Sequence, residues 1–455
     1  MPDAPGTGQR QVGIGPALLG IALLTGLGLR LAPILGADFP LRDGGLFVTM
    51  AHDIRNAGFG LPEFSTFNAG NVPFAYPPLG LYILALIPGA PIPTERWLPL
   101  VWSMVAIPGI YLLAREMTDE RRAGLTCLLF AAMPVTWAIE GGGVTRALAL
   151  ALLLLALWRM AVLVRAPRSG NAALVGVLAG AGILVHPAVG FTLLASGVLL
   201  LAFSPSWRGL AFGAAAGLVA LAVVSPWVAM IIVRYGSVAI FAAAGSHHLG
   251  ETLGRLLTLG PSTIGALDFV LPLALLGTVP LVHRREWLLP AWVVLLVLVP
   301  GGEGRYAAIP WAMLAAVGAL FVADAARSAG GLRLAAGIGF GWLFVASLLA
   351  GYQQFSSIPP GIRMAIATSG ADSAPGTRFA VVTHEPLLHA AILDWFPTLS
   401  GRISLGTYMG LEWTSVAQWD ATVALDDRIQ QGEIPSSADR IFTAGDGSAS
   451  SVSAK

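Results

Sequence analysis

Residues 36–76 read GADFPLRDGGLFVTMAHDIRNAGFGLPEFSTFNAGNVPFAY, a polar stretch that separates one long apolar segment from a largely apolar remainder. Four carboxylates, Asp38, Asp43, Asp53 and Glu63, lie within it, whereas the whole chain has 25 acidic residues in 455 positions. Functional side chains are often carried on loops that a rigid scaffold positions. The concentration of acids therefore indicates a site in this loop.

The composition around this loop is that of a membrane protein. Hydrophobic residues make up 56% of the chain, charged residues 11%, and the mean hydropathy is +0.75. Soluble domains are about half apolar and about a quarter charged. The 55 Gly and 31 Pro fit closely packed helices in lipid. A net charge of +1 gives no basic surface for nucleic acid, and the single Cys127 excludes a disulfide framework.

Apolar runs of about 20 residues predict membrane-spanning helices. The first covers residues 13–35, with Arg30 near its far end, where the side chain can snorkel to the interface. About eleven spans are expected, the others at 97–115, 122–140, 144–164, 171–187, 188–205, 208–233, 263–282, 287–302, 305–326 and 332–352. The chain is thus predicted to be an all-α polytopic membrane protein.

The arginines predict the orientation of these spans. They cluster at 115–122, 159–170 and 283–286, and cytoplasmic loops are rich in Arg. This puts Met1 inside and the first loop outside, together with 234–262 and the C-terminal segment. The scheme requires residues 77–88 to form a short interfacial or re-entrant helix, which extends the exterior loop to 36–96.

The first loop contains an amphipathic pattern. Leu46, Phe47, Met50 and Ile54 recur at spacings of three and four, which predicts a helix lying on the exterior membrane surface. Asp43 would stand at the N-terminus of that helix. Its carboxylate would either cap the helix or project into a cavity at the membrane boundary, and the two are compatible.

The composition changes at residue 353, where Ser, Asp, Thr and Pro increase. We therefore expect two parts, a transmembrane domain over 1–352 and a small exterior α/β module over 353–455. Within the module, the patterns predict strands at 379–383, 403–408 and 421–424 and a helix at 386–395. The Ser/Gly/Ala-rich tail 445–455 is predicted to be disordered.

Three short patterns stand at the predicted exterior helix ends. They are D-x3-aromatic-x3-A at Asp43, Phe47 and Ala51, then Tyr76-Pro77-Pro78-Leu79, then Arg305-Tyr306 with Pro310. As a set they resemble the C-type (GT-C) glycosyltransferase superfamily, polytopic enzymes that use polyprenyl-phosphate-linked sugars. Protein O-mannosyltransferases and aminoarabinose transferases belong to it. The run 395–402 and Glu412-Trp413 look like those of uncharacterised bacterial relatives.

The sequence departs from the superfamily pattern at two places. Many relatives have Asp-Glu where this chain has Asp43-Gly44, so a second acidic role is moved to Asp38 or Asp53, or is absent. Relatives also carry a Glu-Ala-Arg box, whereas Glu140 and Arg146 are separated here by Gly-Gly-Gly-Val-Thr.

The resemblance implies roles for these residues. Glycosyl transfer needs a base for the acceptor hydroxyl and a group that stabilises the departing phosphate. Asp43 is the expected base, with a pKa raised by partial desolvation. Arg305 and Arg146 are expected to bind the lipid phosphate; the alternative is that they snorkel to phospholipid headgroups. The other candidate binding residues are Tyr76, Asp38, Tyr306 and Glu140.

A metal site is weakly indicated by His247, His248 and Glu251. Adjacent His side chains diverge on a helix and the sequence offers no strong third ligand nearby, so we assign no metal and leave a divalent requirement open. No cofactor is expected. The polyprenyl-phosphate-linked sugar is a substrate.

The function implied by the resemblance is transfer of a sugar from a polyprenyl phosphate to a glycan, lipid or protein acceptor. The reaction would take place on the exterior face of a bacterial plasma (inner) membrane, with membrane lipids as further partners. One alternative is a lipid or solute transporter or flippase, which would show mid-membrane ionisable residues and paired broken helices. Another is an inactive binding protein that uses the exterior module. The Asp43-Gly44 pair is compatible with this alternative, because many relatives have Asp-Glu there.

Overall fold

The computed structural model describes residues 13–70, 72–237, 269–298, 304–326, 330–445 and 447–454. Helices dominate this described part, and strands occur in the first loop and in the C-terminal segment. The helices are α1 (Ile14–Leu35), α2 (Gly45–Asn56), α3 (Leu79–Leu86), α4 (Pro91–Met117), α5 (Glu120–Ala132), α6 (Gly143–Arg165), α7 (Ser169–Ile183), α8 (Ala188–Phe203), α9 (Trp207–Tyr235), α10 (Val270–His283), α11 (Leu288–Leu298), α12 (Gly304–Ala325), α13 (Gly330–Gln353), α14 (Pro360–Ala371), α15 (Pro386–Ser400) and α16 (Val416–Gln430). The strands are β1 (Phe64–Ser65), β2 (Val72–Pro73), β3 (Arg378–Thr383), β4 (Ile403–Ser404), β5 (Arg440–Gly445) and β6 (Ser448–Ser453).

Helices lie at each of the eleven predicted spans, and the predicted fold class is confirmed. Among the described residues, six helices are long and apolar enough to cross a membrane: α1, α4, α6, α9, α12 and α13. Four shorter apolar helices, α7, α8, α10 and α11, accompany them. The span predicted at 122–140 is shorter than expected, because α5 ends at Ala132 and Pro134, which has no N–H, begins a 3-10 turn.

Small residues bring the helices of the bundle together. Gly277 on α10 and Gly318 on α12 face each other so closely that a Cβ on Gly318 would lie 1.8 Å from the Leu273 carbonyl oxygen. Without a hydrophobic driving force between helices in lipid, such close backbone contact is a main source of association. Gly277 and Gly318 therefore allow close packing of α10 on α12.

Arg30 of α1 is fully buried and does not snorkel to the interface. Its guanidinium donates to the Ser103 hydroxyl at 2.7 Å, to the Ala131 carbonyl at 2.8 Å and to the Thr136 hydroxyl at 3.3 Å. These partners lie on α4, on α5 and in the 3-10 turn Pro134–Thr136 after α5, so the guanidinium joins α1 to all three. Partners inside the protein are close enough that the side chain need not extend to water.

The first loop folds into α2, a short β1–β2 hairpin and α3. The apolar stripe of α2 is buried within the protein, in one cluster with Phe67, Phe74 and Leu81. The prediction of a surface helix with its stripe on the membrane is therefore wrong, because α3 and the hairpin cover that face. Arg55, at the end of α2, donates to the Ala85 carbonyl at 2.7 Å and the Gly89 carbonyl at 2.6 Å, which fixes α3. With eight residues, α3 is too short to span a membrane, as the scheme required.

The C-terminal segment is a small α/β unit that begins after α13. Its sheet has the order β4-β3-β5-β6, with β3 parallel to β4 and β5, and β5 antiparallel to β6. Side chains of β3 alternate between two faces: Phe379 packs with Phe396 of α15, and Ala380 with Ile429 of α16. The predicted strand 379–383 and helix 386–395 are confirmed.

Two expectations for this segment are wrong. Residues 421–424 lie inside α16, whose N-terminus is capped by the Ser415 hydroxyl, and are not a strand. The tail 445–455, expected to be disordered, contains β6, which pairs with β5 from Arg440↔Ser453 to Gly445↔Ser448. Backbone hydrogen bonds along one edge form whatever the side chains, so a Ser-rich edge strand is compatible with this position.

The C-terminal segment packs directly on the first loop. Leu41 bridges to Ser357, the Arg42 N–H donates to the Ser356 carbonyl at 2.8 Å, and the Trp395 indole N–H donates to the Arg42 carbonyl at 3.0 Å. We call the end of the bundle at which these elements meet the loop end. The N-termini of α6 and α12 lie there as well, as the ion pairs below show.

Candidate functional site

Asp43 lies at the loop end, just before α2, and contacts the first turn of α6. Its Oδ1 accepts a hydrogen bond from the Gly142 N–H at 3.2 Å, and its Oδ2 lies 2.7 Å from Nη1 of Arg146. The carboxylate makes no capping bond to α2. Of the two roles that the sequence left open, the described contacts thus exclude capping. The Asp43 and Arg146 side chains are 22% and 28% exposed, so the pair is within reach of a ligand.

The glycine run before α6 makes this approach possible. The Gly141 N–H donates to the Leu41 carbonyl at 2.8 Å, and a Cβ on Gly141 would lie only 1.9 Å from the Asp43 carbonyl oxygen. Any larger residue would push the Asp43 backbone away. The Gly-Gly-Gly stretch that interrupts the relatives' Glu-Ala-Arg pattern therefore packs directly against Asp43.

Glu140 links two arginines at the loop end. Its Oε1 lies 3.3 Å from Nη1 of Arg146 and 3.5 Å from Nη1 of Arg305, which begins α12. The Glu140 side chain is only 8% exposed, so both ion pairs are shielded from water. Four predicted site residues, Asp43, Arg146, Glu140 and Arg305, thus form one continuous network, and we call them the Asp43 network.

The charge state of Asp43 differs from the expectation. Burial raises the pKa of the carboxyl, but the guanidinium groups of Arg146 and Arg42 and the hydrogen bonds from Arg146 and Gly142 lower it, and the pKa lies below its usual value. The expectation of a raised pKa is therefore wrong, because the sequence did not show that Arg146 pairs directly with Asp43. The carboxylate is ionised at neutral pH.

Asp394 of α15 caps the N-terminus of α2 in place of Asp43. Its Oδ2 accepts hydrogen bonds from the N–H groups of Gly44, at 2.5 Å, and Gly45, at 2.8 Å. Burial and the charge of Asp43 raise the pKa of Asp394 to about 7, and the backbone N–H groups act in the opposite direction. Sequence reasoning missed Asp394 because it lies 350 positions from its partner.

Gly44, where many relatives have Glu, has no room for a side chain. Its φ of +143° favours glycine, and a Cβ would lie 2.5 Å from Oε2 of Glu95. Glu95 is fully buried in the first turns of α4. A carboxyl therefore does lie beside position 44, but α4 supplies it, and no pattern in the sequence indicates this.

The two aromatic residues predicted to lie in the site, Tyr76 and Tyr306, lie around the Asp43 network. The Tyr76 ring contacts the ring of Phe47, with centroids 5.1 Å apart, and that of Trp413, 6.0 Å apart. Two residues of separate motifs, Phe47 and Tyr76, thus meet. Tyr306, next to Arg305, is 1% exposed and its ring centroid is 6.4 Å from that of His186.

Glu412 is an acid near this network that sequence reasoning did not assign. It lies on the 3-10 turn Leu411–Trp413 of the C-terminal segment. Burial raises the pKa of its carboxyl above the usual value, while hydrogen bonds with the backbone of Glu412 and Gly410 and the charge of Arg146 act to lower it. The Glu412-Trp413 pair stood out in the sequence only as part of the resemblance, with no role attached.

The remaining candidates lie elsewhere. Asp38 forms an ion pair with Arg363 of α14, with its side chain 61% exposed, and no described contact joins it to the Asp43 network. Asp53 is buried and accepts from the Ser65 and Thr66 hydroxyls, each at 2.7 Å, so it holds the turn after α2. His247, His248 and Glu251 lie outside the described residues. Across the described ranges, no three His, Cys, Asp or Glu side chains are grouped as metal ligands.

Comparisons with known proteins agree with this architecture. The family model for dolichyl-phosphate-mannose-protein mannosyltransferase matches residues 75–230. The structure of ArnT from Cupriavidus metallidurans bound to undecaprenyl phosphate superimposes with a TM-score of 0.55 at 12% identity, over 96% of this chain and 94% of that one. This chain has the GT-C fold.

A second structure with the GT-C fold widens the comparison. The Archaeoglobus fulgidus oligosaccharyltransferase, in complex with Zn and sulfate, superimposes with a TM-score of 0.55 at 13% identity. The match covers 94% of this chain and 67% of the archaeal one, so this chain spans about two thirds of its length. No curated protein sequence matches. The resemblance read from the sequence is confirmed, and the GT-C fold with its apolar helices makes the chain a multi-pass membrane protein.

Proposed function

We propose that the chain is an inverting glycosyltransferase that transfers a sugar from a polyprenyl phosphate to an acceptor. The observation that carries the proposal is the Asp43 network, in which a partly exposed carboxylate lies 2.7 Å from an arginine at the start of a membrane helix. A base and a phosphate-binding cation are the two groups that this reaction needs. The undecaprenyl phosphate in the ArnT structure supports a lipid donor of this class.

In the proposed reaction, Asp43 accepts the proton of the acceptor hydroxyl. The hydroxyl oxygen forms a bond to the anomeric carbon, and the bond from that carbon to the phosphate oxygen breaks. The electron pair leaves with the polyprenyl phosphate. Asp43 suits the role of base because it is ionised and 22% exposed.

Arg146 and Arg305 are the proposed phosphate ligands. Arginine binds phosphate through two parallel N–H donors, and this neutralises the charge on the leaving group. A phosphate bound to Arg146 would compete with Asp43 for the same guanidinium. Donor binding would then weaken the interaction that holds the pKa of Asp43 down, and the carboxylate would become a stronger base.

We further propose that the loop end faces the exterior of a bacterial plasma membrane. The arginine clusters at 115–122, 159–170 and 283–286 support this orientation, because each is separated by one helix, α5, α6 or α11, from Glu140, Arg146 or Arg305. The N-terminus would then be cytoplasmic, and the C-terminal segment would lie outside, against the first loop. The acceptor would bind the protein on the exterior side of the membrane.

Mass spectrometry of lipid that co-purifies with the protein tests the donor. A polyprenyl phosphate, with or without its sugar, is the expected result. The bound lipid identifies the donor to be supplied to protein reconstituted in liposomes. Ordinary phospholipid alone, with no polyprenyl phosphate retained after the addition of undecaprenyl phosphate, would contradict the lipid donor.

The same liposomes test the base. Asp43→Asn should abolish transfer and leave the protein folded, whereas Asp427→Asn, the same change at an exposed position of α16, should have no effect. Full activity of Asp43→Asn would remove Asp43 from the role. Net movement of lipid or solute across the bilayer, without transfer, would favour the transporter alternative.

A further inference from the structure

The C-terminal segment carries a second cluster of polar side chains, outside the Asp43 network. Thr383 is the last residue of β3, His389 lies in the first turns of α15, and Asp426 lies on α16. The Thr383 Oγ1 atom is 2.7 Å from Nδ1 of His389, and Nε2 of the same imidazole is 2.7 Å from Oδ2 of Asp426. Three separate elements thus bring a hydroxyl, an imidazole and a carboxyl group into one hydrogen-bonded line.

The chemistry of these groups fixes the direction of the hydrogen bonds. A carboxylate can only accept, so Nε2 of a neutral His389 carries the hydrogen that it donates to Asp426. Nδ1 then has a lone pair and accepts from the Thr383 hydroxyl. The alternative acceptor for that hydroxyl, Oε1 of Gln430, is farther away at 3.4 Å. The imidazole is therefore placed to take the proton of the Thr383 hydroxyl.

Gln430 holds both ends of this line. Its Nε2 donates to Oδ1 of Asp426 at 3.1 Å and to the Val381 carbonyl at 2.9 Å, and its Oε1 accepts from the Thr383 N–H at 3.0 Å. The Asp426 side chain is 6% exposed, whereas that of His389 is 23% exposed. The carboxyl group is thus fixed and shielded, and the imidazole is within reach of a ligand. A base that hydrogen-bonds a hydroxyl and is oriented by a third group is the pattern of an activated nucleophile.

The cluster lies at the end of the sheet where α/β proteins bind ligands. Strand β3 lies between β4 and β5 and is parallel to both. The chain passes from β3 to β4 through α15 on one face of the sheet, and then to β5 through α16 on the other face. The strand order therefore reverses at the carboxyl end of β3, and ligands bind in the crevice outside such a point. Helix α15 begins at Pro386, three residues after Thr383, and its N-terminus favours negative charge that develops there.

We propose that Thr383 and His389 form a second catalytic site, which hydrolyses carboxylic esters, and that Asp426 orients the imidazole. This inference does not depend on glycosyl transfer, since it uses none of the residues of the Asp43 network. Esters are the substrate class because a hydroxyl nucleophile with an imidazole base carries out acyl transfer, and an alcohol leaves more readily than an amine.

In the first step of this reaction, the Thr383 oxygen forms a bond to the carbonyl carbon of the ester while Nδ1 of His389 takes the hydroxyl proton. The bond from that carbon to the alcohol oxygen then breaks, and the alcohol leaves with the proton from His389. In the second step, a water molecule gives a proton to His389, and its oxygen attacks the acyl-threonine. The carboxylic acid is released, and the proton returns to the Thr383 oxygen. Asp426 stabilises the imidazolium that forms in each step.

A fluorophosphonate probe and p-nitrophenyl butyrate test the site on the full-length protein in detergent. The probe should label the wild type at Thr383, located by peptide mass spectrometry, and the ester should be hydrolysed. Thr383→Val should remove the labelling. His389→Gln, whose amide can still hydrogen-bond to both neighbours, should lower ester hydrolysis by about a hundredfold or more. Thr383→Ser keeps a hydroxyl at the same place and should retain both labelling and hydrolysis.

Thr422→Val is the matched control, because Thr422 is a threonine of α16 outside the cluster. Asp43→Asn should lose sugar transfer and keep ester hydrolysis, so the two activities fail independently. Labelling and hydrolysis that are the same in the wild type, Thr383→Val and His389→Gln would overturn the inference. A wild type that is neither labelled nor active would also overturn it, and the cluster would then serve only to join β3, α15 and α16.

Discussion

Asp394 Oδ2 accepts hydrogen bonds from the N–H groups of Gly44, at 2.5 Å, and Gly45, at 2.8 Å. A carboxylate from the C-terminal segment thus caps the helix that follows Asp43, and the burial of both partners isolates the contact from water. The conformation of the Asp43 loop consequently depends on a residue 350 positions away.

Burial of the Asp394 carboxyl near the charge of Asp43 makes stability depend on pH. The pKa of Asp394 is raised to about 7 from an ordinary value of 3.8, so between these values the folded chain keeps a proton that the unfolded chain has lost. The free energy of unfolding attributable to this group is therefore largest below its ordinary pKa and falls as the pH rises through about 7. Asp394→Asn, which cannot ionise, should flatten this dependence in thermal unfolding measured across that range. Asp372→Asn, an exposed acid of the same segment, should keep the wild-type slope, and an unchanged slope in Asp394→Asn would contradict the assignment.

Arg146 should control the affinity for the lipid phosphate. Arg146→Gln removes the charged donor, and undecaprenyl phosphate should bind about tenfold to a hundredfold more weakly, as expected from the loss of one charge-assisted hydrogen bond. Calorimetric titration of the purified protein measures the change. Arg165→Gln, at the other end of α6, removes an arginine with a 60% exposed side chain and should leave the affinity unchanged. Equal affinities in both variants would place the phosphate elsewhere.

Gly141 should be needed for the position of Asp43 and not for the helix itself. Gly141→Ala puts a Cβ 1.9 Å from the Asp43 carbonyl oxygen, so the loop must shift, and transfer should fall by about tenfold or more. Gly170→Ala is the matched control, because a Cβ there meets no atom within 4 Å. Transfer assays of both variants in liposomes give the comparison. Normal activity of Gly141→Ala would show that the loop tolerates the shift.

Arg30 should contribute to stability alone. Arg30→Met removes hydrogen bonds to Ser103, Ala131 and Thr136, and the free energy of unfolding should fall by about 1–3 kcal/mol. The midpoint of unfolding in detergent measures this, with the exposed Arg208→Met as control. A wild-type midpoint in Arg30→Met would mean that burial of the guanidinium cancels its hydrogen bonds.

Hydropathy predicted the helix positions, and the resemblance to the GT-C superfamily, with the placement of charges at helix ends, predicted the four members of the Asp43 network. Asp43, Glu140, Arg146 and Arg305 all flank long apolar runs, and their proximity follows once alternate ends of the helices share one side. The helix positions and these four residues could therefore be predicted from short stretches of sequence.

Contacts across the whole chain could not be predicted in this way. Asp394 and Glu412 belong to a segment with no apolar period linking it to the first loop, and nothing near position 394 indicates a helix cap at position 44. Residues 421–424, Ala-Thr-Val-Ala, contain two β-branched residues and so indicated a strand, but the Ser415 cap and the surrounding α16 determine the structure. The helix that surrounds these four residues overrides their own strand propensity.

The bridge between Leu41 and Ser357 has a consequence for the newly made protein. Residue 357 follows all the long apolar helices of the described part in the sequence, so it leaves the ribosome after them, and residue 394 leaves later still. When all these helices have been inserted, the Asp43 loop therefore still lacks the contacts that hold its conformation. If Asp43 is the base, the protein becomes an enzyme only after residues 357–394 have been made, and a stop codon before them would leave a membrane protein without activity.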